Sequence, residues 1–252
     1  MRILFLSHYF PPEVNAPASR TFEHSRVWAQ TGHEAFVVTN VPNHPAGRIY
    51  PGYRNALAQS ETVADIKVYR LLTFLAANRG IVRRSFSYFF YMVMSVLAAP
   101  FLPRVDVVVS TSPQFFCGLA GFFVSRIKRV PWVLEIRDLW PESIMAVGAV
   151  SRSLTLRWLV WLANFAYRKA DLILCVTDSF KTAIMAEGIP GEKIAVIKNG
   201  VDLEFFSPER SLGPEAGRIP GLENTQGKFV LSYVGTHGMA HGLDTVLEAA
   251  QL

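Results

Sequence analysis

Short runs of almost continuous apolar residues alternate with helix-like segments along most of this chain, and this alternation most constrains its fold. The apolar runs are Ile3–Leu6, Ala35–Thr39, Ile66–Leu71, Val105–Ser110, Trp132–Ile136, Leu172–Val176 and Ile194–Ile197. The helix-like segments are Ser19–Gln30, Ser85–Ala99, Phe115–Ile127, Ser153–Arg168 and Ser179–Glu187. Strands that are apolar on both faces need cover on both faces. The pattern therefore predicts an α/β fold, with a parallel sheet and helices on either side.

The chain begins this plan twice. Arg2–Ser7 leads into a polar turn and a helix, and Phe229–Val234 leads into a Gly-rich turn and a helix pattern. Between them, the stretch 207–228 is rich in Gly and Pro, which indicates a linker. We therefore expect a complete α/β domain at 1–206, a linker, and the start of a similar domain at 229–252. Because a strand, turn and helix of that size cannot bury their own apolar faces, we expect the chain to stop early in that domain.

The composition is that of a folded domain without a metal or disulfide framework. Half of the 252 residues are hydrophobic and 18% are charged, so the chain can build a sizeable core. Cys117 and Cys175 are the only cysteines, and both have apolar neighbours. We expect them to be buried, reduced thiols of a cytoplasmic protein. The first apolar run is too short for the hydrophobic region of a secretory signal.

One stretch of the chain is both basic and aromatic. No acidic residue lies between Ile66 and Val105, whereas six Lys and Arg residues do. Within it, Phe86–Leu102 is apolar, and its length is close to the roughly 18 residues that indicate a transmembrane helix. A transmembrane span would place strands of the same predicted sheet on opposite sides of a bilayer, so we reject that interpretation.

Two interpretations of this stretch remain, a helix lying on a membrane surface and a core helix. The lack of acidic residues favours the membrane surface, where basic side chains meet anionic lipid. The expected membrane contacts are Arg79, Arg83, Arg84, Phe86, Phe89 and Phe90. Leu154–Leu162 is a second amphipathic pattern that can assist, although core helices show such a pattern more often.

Polar loops follow several predicted strands, and ligands of open parallel sheets bind beyond the carboxyl ends of strands. The loop Ser7–Arg20 is either an ordinary connection or, as its length and polarity favour, part of a binding site. It lacks the G-x-G-x-x-G pattern of nicotinamide and flavin dinucleotide sites. The turn Gly235–Leu243 combines glycines, imidazoles and a hydroxyl before a helix. That combination favours a bound phosphate, with a flexible tip as the alternative.

The segment Glu135–Glu142 directly follows a buried strand and contains three carboxylates and an arginine. Charges in that position need pairing, solvation or a function. Asp138 can orient or deprotonate a hydroxyl at the mouth of the crevice. A structural ion pair of Arg137 with Asp138 or with Glu135 explains the same residues equally well.

Four motifs occur in an order that resembles family 4 retaining glycosyltransferases. They are Phe10-Pro11-Pro12, Arg137-Asp138-Leu139-Trp140-Pro141, Asn199-Gly200-Val201-Asp202 and Val234–Leu243. Within that family the sequence most resembles the branch that includes fucosamine transferases of bacterial surface polysaccharide assembly. The resemblance implies a GT-B architecture of two Rossmann-like domains, with the acceptor held by the N-terminal domain and the nucleotide sugar by the C-terminal domain.

The resemblance also implies roles for individual residues. Asp138 is the implied catalytic residue, near the acceptor and the reacting sugar. The implied acceptor-binding residues are His8, Asn15, Arg20 and Arg137. The implied contacts to the donor diphosphate are Gly235, Thr236, His237, Gly238 and His241. Many relatives differ from this chain in having a Gly-Gly pair near Asn15, an Arg at 236 and a Lys at 241. The family's pair of Glu residues, spaced eight apart, lies later in the second domain.

We therefore expect transfer of a hexosyl group, such as an N-acetyl amino sugar, from a nucleotide sugar to a lipid-linked glycan acceptor. The resemblance implies retention of configuration and a role in O-antigen-type surface polysaccharide assembly, on the inner face of the cytoplasmic membrane. It implies no metal, no other cofactor and no nucleic acid partner. The alternatives are a GT-B-type sugar-nucleotide epimerase and an inactive acceptor- and membrane-binding fragment.

Overall fold

The computed structural model describes residues 1–77, 80–139, 154–201, 203, 207, 227–235 and 241–251. Two compact units are present, Met1–Lys198 and Asn199–Leu252, and each is described by itself. Most of the predicted linker lies outside the described residues, so the predicted domain bounds stay predictions.

In the first unit, the described residues form one eight-stranded sheet. Its strands are β1 (Arg2–Leu6), β2 (Glu34–Asn40), β3 (Ala58–Val63), β4 (Ile66–Leu71), β5 (Val107–Thr111), β6 (Trp132–Ile136), β7 (Leu172–Cys175) and β8 (Ile194–Val196). Their order is β3-β4-β2-β1-β5-β6-β7-β8, with β3 antiparallel to β4 and the other neighbours parallel. The strand order reverses between β1 and β5, which is the switch point of a doubly wound, Rossmann-like sheet.

Helices cover both faces of this sheet. They are α1 (Ala16–Gln30), α2 (Ile81–Ala98), α3 (Phe115–Lys128), α4 (Leu154–Lys169) and α5 (Asp178–Ala186), with single 3₁₀ turns at Ala99–Phe101 and Gly191–Lys193. Alternate residues of β1 point to opposite faces, as the pleat requires. Leu4 and Leu6 join the core under α2, α3, α4 and α5. Ile3 and Phe5 join the core under α1. The predicted parallel α/β architecture is confirmed, and both cysteines are buried and free, as expected.

The edge strand β3 is absent from the sequence prediction. Its residues alternate between exposed and half-buried positions, and it pairs with β4 through a tight turn. Ala64 and Asp65 form that turn with positive φ angles of 49° and 62°. A polar edge strand and a turn without Gly or Asn give neither of the usual signals of a hairpin.

The second unit contains α6 (Leu243–Ala249), the helix predicted to follow the Gly-rich turn. The predicted strand Phe229–Val234 is wrong, because these residues have no strand assignment and all are exposed. A strand needs a neighbour to take up its backbone hydrogen bonds. No described residue of this unit supplies one.

Gly121 sets the distance between α3 and the sheet. A Cβ at this position would overlap Ser110 Oγ and Trp132 Nε1, two buried atoms that are hydrogen-bonded at 2.8 Å. We expect Gly121→Ala to lower the free energy of unfolding by about 1–3 kcal/mol, as overpacking does. The matched control is Gly118→Ala, one turn earlier, where a Cβ would lie 3.4 Å from Leu134 Cδ1.

Because that contact is ordinary and Ala favours the helix, Gly118→Ala should be neutral or stabilising by about 0.5–1 kcal/mol. Urea denaturation of both variants measures the difference. Equal stability of the two variants would show that α3 moves to accept the methyl group at 121.

Candidate functional site

The carboxyl edge of the sheet at the switch point gathers loops from β1, β5 and β6. Ser112 bridges two of these loops, because its backbone N–H donates to Glu135 O at 2.9 Å and its Oγ accepts from Arg137 N at 3.2 Å. Thr21 of α1 donates to Ser7 Oγ at 2.9 Å, which ties the first loop to its helix. The polar side chains of this edge form two groups, one basic and one aromatic.

The basic group lies on the α1 side of the sheet. Glu135 is 2% exposed. Its neighbours in β6, Leu134 and Ile136, point to the other face of the sheet and join the core there. Arg20 approaches it from α1, with Nε and Nη2 each 2.9 Å from Glu135 Oε1. His24, one turn later on α1, places Nδ1 at 4.0 Å from the same oxygen.

Arg137 completes this group with a second guanidinium. Its Nη1 and Glu135 Oε2 are both buried, and neither has a hydrogen-bond partner among the described residues. Burial lowers the pKa of Arg137; Glu135 opposes this shift and Arg20 adds to it. Burial and Arg20 also lower the pKa of His24. With two guanidinium groups beside one carboxylate, the basic group suits a ligand that carries negative charge or several hydroxyls.

Asp138 belongs to the other side of the sheet. It is half-buried and lines a cavity of about 20 Å³ with residues of α3 and α4, among them Phe115 and Tyr167. A cavity of that size holds roughly one water molecule. Asp138 therefore lies beside the core under α3 and α4, whereas Glu135 pairs with Arg20 of α1. Its catalytic role stays a prediction, and Trp140–Glu142 lie outside the described residues.

The aromatic group surrounds His8 at the end of β1. His8 is 3% exposed and meets the rings of Tyr9, Tyr88 and Tyr91 edge-on, with centroids 4.7, 4.7 and 5.3 Å away. Asn40 Nδ2 lies 3.1 Å from a ring nitrogen of His8. The predicted direct contact between His8 and an acceptor does not fit this arrangement, because neighbouring rings cover the imidazole.

Burial, together with the nearby His44 and Arg84, lowers the pKa of His8 from 6.5 to about 3. Between these two values the unfolded chain binds a proton that the folded chain does not, so stability is lost as the pH falls from 6.5. We expect unfolding free energy to decrease towards acid by up to about 1.4 kcal/mol per pH unit from this residue. Urea denaturation at several pH values should show a shallower slope for His8→Gln. An unchanged slope would mean that His8 is protonated in the folded protein.

Two further polar residues lie at this edge, Asn15 and Gln114. Asn15 caps α1, where its Oδ1 accepts from Ala18 N at 2.9 Å, so the proposed acceptor contact is left to its Nδ2. Gln114 is 6% exposed and precedes α3 at the switch point, with no partner for its Oε1 among the described residues. The sequence did not single out Gln114, because a single Gln outside any motif indicates no particular function.

The expected membrane residues lie mostly on α2. Val82, Phe86, Phe89 and Leu97 are exposed, and their spacing places them along one side of the helix. Arg83 and Arg84 are exposed in its first turn, whereas Phe90 is half-buried and packs against the core. Arg79 lies outside the described residues. Among the helices that the structure describes, none has the length and hydropathy to cross a bilayer.

The predicted donor contacts are described only in part. The structure describes Gly235 and His241, and both are exposed. The ring centroids of His241 and Tyr233 are 6.3 Å apart. Thr236, His237 and Gly238 lie outside the described residues. Within the described ranges, no three His, Cys, Asp or Glu side chains are placed to share a metal ion.

Comparison with known proteins places these features in a family. The chain is 21% identical, over 99% of its length, to WcaI of Escherichia coli (strain K12), assigned as a glycosyl transferase of colanic acid biosynthesis. It is 29% identical, over 52% of its length, to the Escherichia coli UDP-Gal:alpha-D-GlcNAc-diphosphoundecaprenol alpha-1,3-galactosyltransferase. The chain spans 62% of the first relative and 32% of the second.

A solved structure and a family model agree with these relatives. Sucrose-phosphate synthase from Thermosynechococcus elongatus matches 99% of the chain, and 59% of its own length, with a TM-score of 0.69 and 14% identity. That likeness confirms the predicted GT-B fold class. The model of Glycosyltransferase Family 4 matches residues 18–205, which include β2 to β8 and the basic group of the carboxyl edge. On this evidence, the chain belongs to glycosyltransferase family 4.

Proposed function

We propose that this protein transfers a hexosyl group from a nucleotide diphosphate sugar to a lipid-linked glycan acceptor, with retention, in the assembly of a bacterial surface polysaccharide. Family membership supports the transferase activity. The assignment of one relative to colanic acid biosynthesis supports the process, and the diphosphoundecaprenol acceptor named for the other supports the acceptor class. The observation that carries the proposal is the basic group at the switch point of a doubly wound sheet, where ligands of such sheets bind.

The residues at this edge have complementary tasks in the proposed reaction. Arg20 and Arg137 hold the acceptor by charge-assisted hydrogen bonds, and Glu135 fixes the Arg20 guanidinium. Asp138 orients the acceptor hydroxyl. The anomeric carbon then exchanges its bond to the nucleoside diphosphate for a bond to the acceptor oxygen, and the proton of that hydroxyl passes to the departing diphosphate.

The donor diphosphate is proposed to lie at Gly235–His241. The proposal includes no metal and no other cofactor, since backbone N–H groups and imidazoles can stabilise the charge that develops on the leaving group.

The exposed stripe of α2 supports a peripheral position on the inner face of the cell membrane. Its four apolar side chains project from a helix that contains no acidic residue. An amphipathic helix with arginines and aromatic side chains binds a membrane surface in this manner. A lipid-linked acceptor presents its sugar at the same surface.

The test is a transfer assay with the purified full-length protein, candidate sugar nucleotides and a polyprenyl diphosphate-linked sugar in vesicles. The expected result is a glycosylated lipid whose new linkage keeps the anomeric configuration of the donor, determined by NMR. Consumption of nucleotide sugar without a glycosylated lipid contradicts the proposal. If an altered sugar nucleotide forms without any acceptor, the protein is an epimerase instead.

A further inference from the structure

The aromatic group has an accessible rim that the proposed mechanism does not use. We infer that Tyr9, His44, Arg84 and Tyr88 form a binding site for a phosphorylated sugar, with the phosphate on Arg84 and the sugar ring against the tyrosines. This inference rests on the proposed function for one point, that the ligand is the diphosphate and first sugar of the lipid-linked acceptor.

The rim lies where α2 meets the carboxyl edge of the sheet. Since α2 follows β4 and precedes the parallel strand β5, its first turn lies at the same edge as the loops after β1 and β2. Tyr88 touches His8 from α2, and Tyr9 touches His44 from the loop after β1, with ring centroids 5.1 Å apart. These contacts join three chain segments into one surface.

Arg84 gives this surface a positive charge that no described carboxylate neutralises. Its side-chain hydrogen bonds run to Tyr88 Oη, at 3.4 Å from Nε and 3.2 Å from Nη2. The first turn of α2 has no acidic residue, and its N-cap, Gly80, has no side chain to cap the helix. An exposed guanidinium beside uncapped N–H groups binds phosphate oxygens well.

The tyrosines supply a rigid platform beside that charge. Tyr9 and Tyr88 are both half-buried. Behind them, the buried His8 ring packs against both. The C–H face of a pyranose packs against aromatic rings, and a platform whose rings are already fixed loses little conformational entropy when it binds.

The loop that carries His44 is also fixed before binding. Glu13 is buried, and its Oε1 accepts from the backbone N–H groups of Asn43 and His44 at 2.9 Å each. Glu13 Oε2 and His44 Nδ1 are buried without a partner among the described residues. Such atoms are rare in folded proteins unless a ligand or water meets them, and both accept hydrogen bonds of the kind that sugar hydroxyls donate.

Two sources of phosphate are chemically equivalent here, a polyprenyl diphosphate and a phospholipid headgroup. The test uses the full-length protein and sedimentation with phosphatidylcholine vesicles that contain either undecaprenyl diphosphate-linked N-acetylglucosamine or phosphatidylglycerol of equal total charge. We expect tighter binding to the first vesicles. Arg84→Ala should reduce that preference about tenfold, the loss expected for a charge-assisted contact. Tyr88→Ala should reduce it further than Tyr88→Phe, which keeps the ring.

Arg83→Ala is the matched control, because Arg83 is exposed in the same turn of α2 and its replacement removes the same charge. It should weaken binding to both kinds of vesicle equally and leave the preference intact. Equal loss of preference in the two Arg variants, or no preference in the unmodified protein, overturns the inference. If the protein shows the preference but transfers no sugar, the proposed function fails and the site stands. If it transfers sugar and Arg84→Ala leaves the KM for the acceptor unchanged, the proposed function stands and the inferred site fails.

Discussion

Replacing Glu135 with Ala is expected to lower the free energy of unfolding by about 3–5 kcal/mol, the usual cost of removing one partner from a buried ion pair. Glu135 is 2% exposed, and the Arg20 side chain that donates to it is only 12% exposed. The variant removes the buried carboxylate that pairs with the Arg20 guanidinium and also acts on that of Arg137. Repulsion and lost solvation then both act on the folded state.

Two variants separate the charge from the packing at this position. Glu135→Gln keeps the shape and an oxygen that can accept from Arg20, so its cost should be clearly smaller than that of Glu135→Ala. The surface control is Lys198→Ala, which breaks the pair between Lys198 Nζ and Asp178 Oδ2 at 3.3 Å, where both side chains are more than 70% exposed. Exposed pairs contribute about 0–1 kcal/mol.

Urea denaturation near neutral pH measures all three variants. The interpretation of Glu135 as the anchor of the basic group is refuted by a cost for Glu135→Ala no larger than that for Lys198→Ala. A transfer assay of Glu135→Gln adds a second measurement. If Glu135 positions Arg20 for the acceptor, the acceptor KM should rise more than kcat falls.

The sheet and its helices were predictable because their signal is local. Runs such as Ile3–Leu6 are apolar on both faces, and only a covered parallel sheet accommodates several of them. The edge strand β3 escaped prediction because half of its side chains face solvent. Phe229–Val234 shows the opposite error, since an apolar run predicts a strand only where a neighbouring strand can pair with it.

The site was harder to predict than the fold because its pairs join distant parts of the chain. The sequence offered Arg137 as a partner for Glu135, two residues away, but the structure pairs Glu135 with Arg20, 115 residues earlier. The family resemblance implied that His8 binds the acceptor, yet Tyr88 and Tyr91 of α2 cover it. Motif position identifies the edge of the sheet at which a residue lies, whereas packing decides whether a ligand can reach it.

Replacing Arg70 with Ala is expected to cost about 2–4 kcal/mol of unfolding free energy, because one buried and one half-buried carbonyl group lose their donor. Arg70 lies in β4 and is 1% exposed. Its Nη1 donates to Asn40 O at 3.2 Å and its Nη2 donates to Pro11 O. Its Nε donates to Glu61 of β3, so one side chain joins the edge hairpin to two loops at the carboxyl edge.

Arg70→Ala should also destabilise the aromatic group. Asn40 holds His8, and Pro11 belongs to the loop that carries Tyr9, so Arg70→Ala should increase hydrogen exchange at residues 9–13 more than in β7. Arg70→Lys should recover little stability, because one ammonium group cannot reach three acceptors in the geometry of a guanidinium.

Arg2→Ala is the matched control for Arg70→Ala, since each arginine makes one ion pair and lies over one aromatic ring, that of Tyr53 in the case of Arg70. Its Nε lies 3.5 Å from Glu34 Oε1 at the surface, and its guanidinium lies over Phe36. That variant should cost no more than about 1 kcal/mol. Equal costs for the two variants would show that the carbonyls of Pro11 and Asn40 find water instead. The edge hairpin would then have no part in holding the loops of the site.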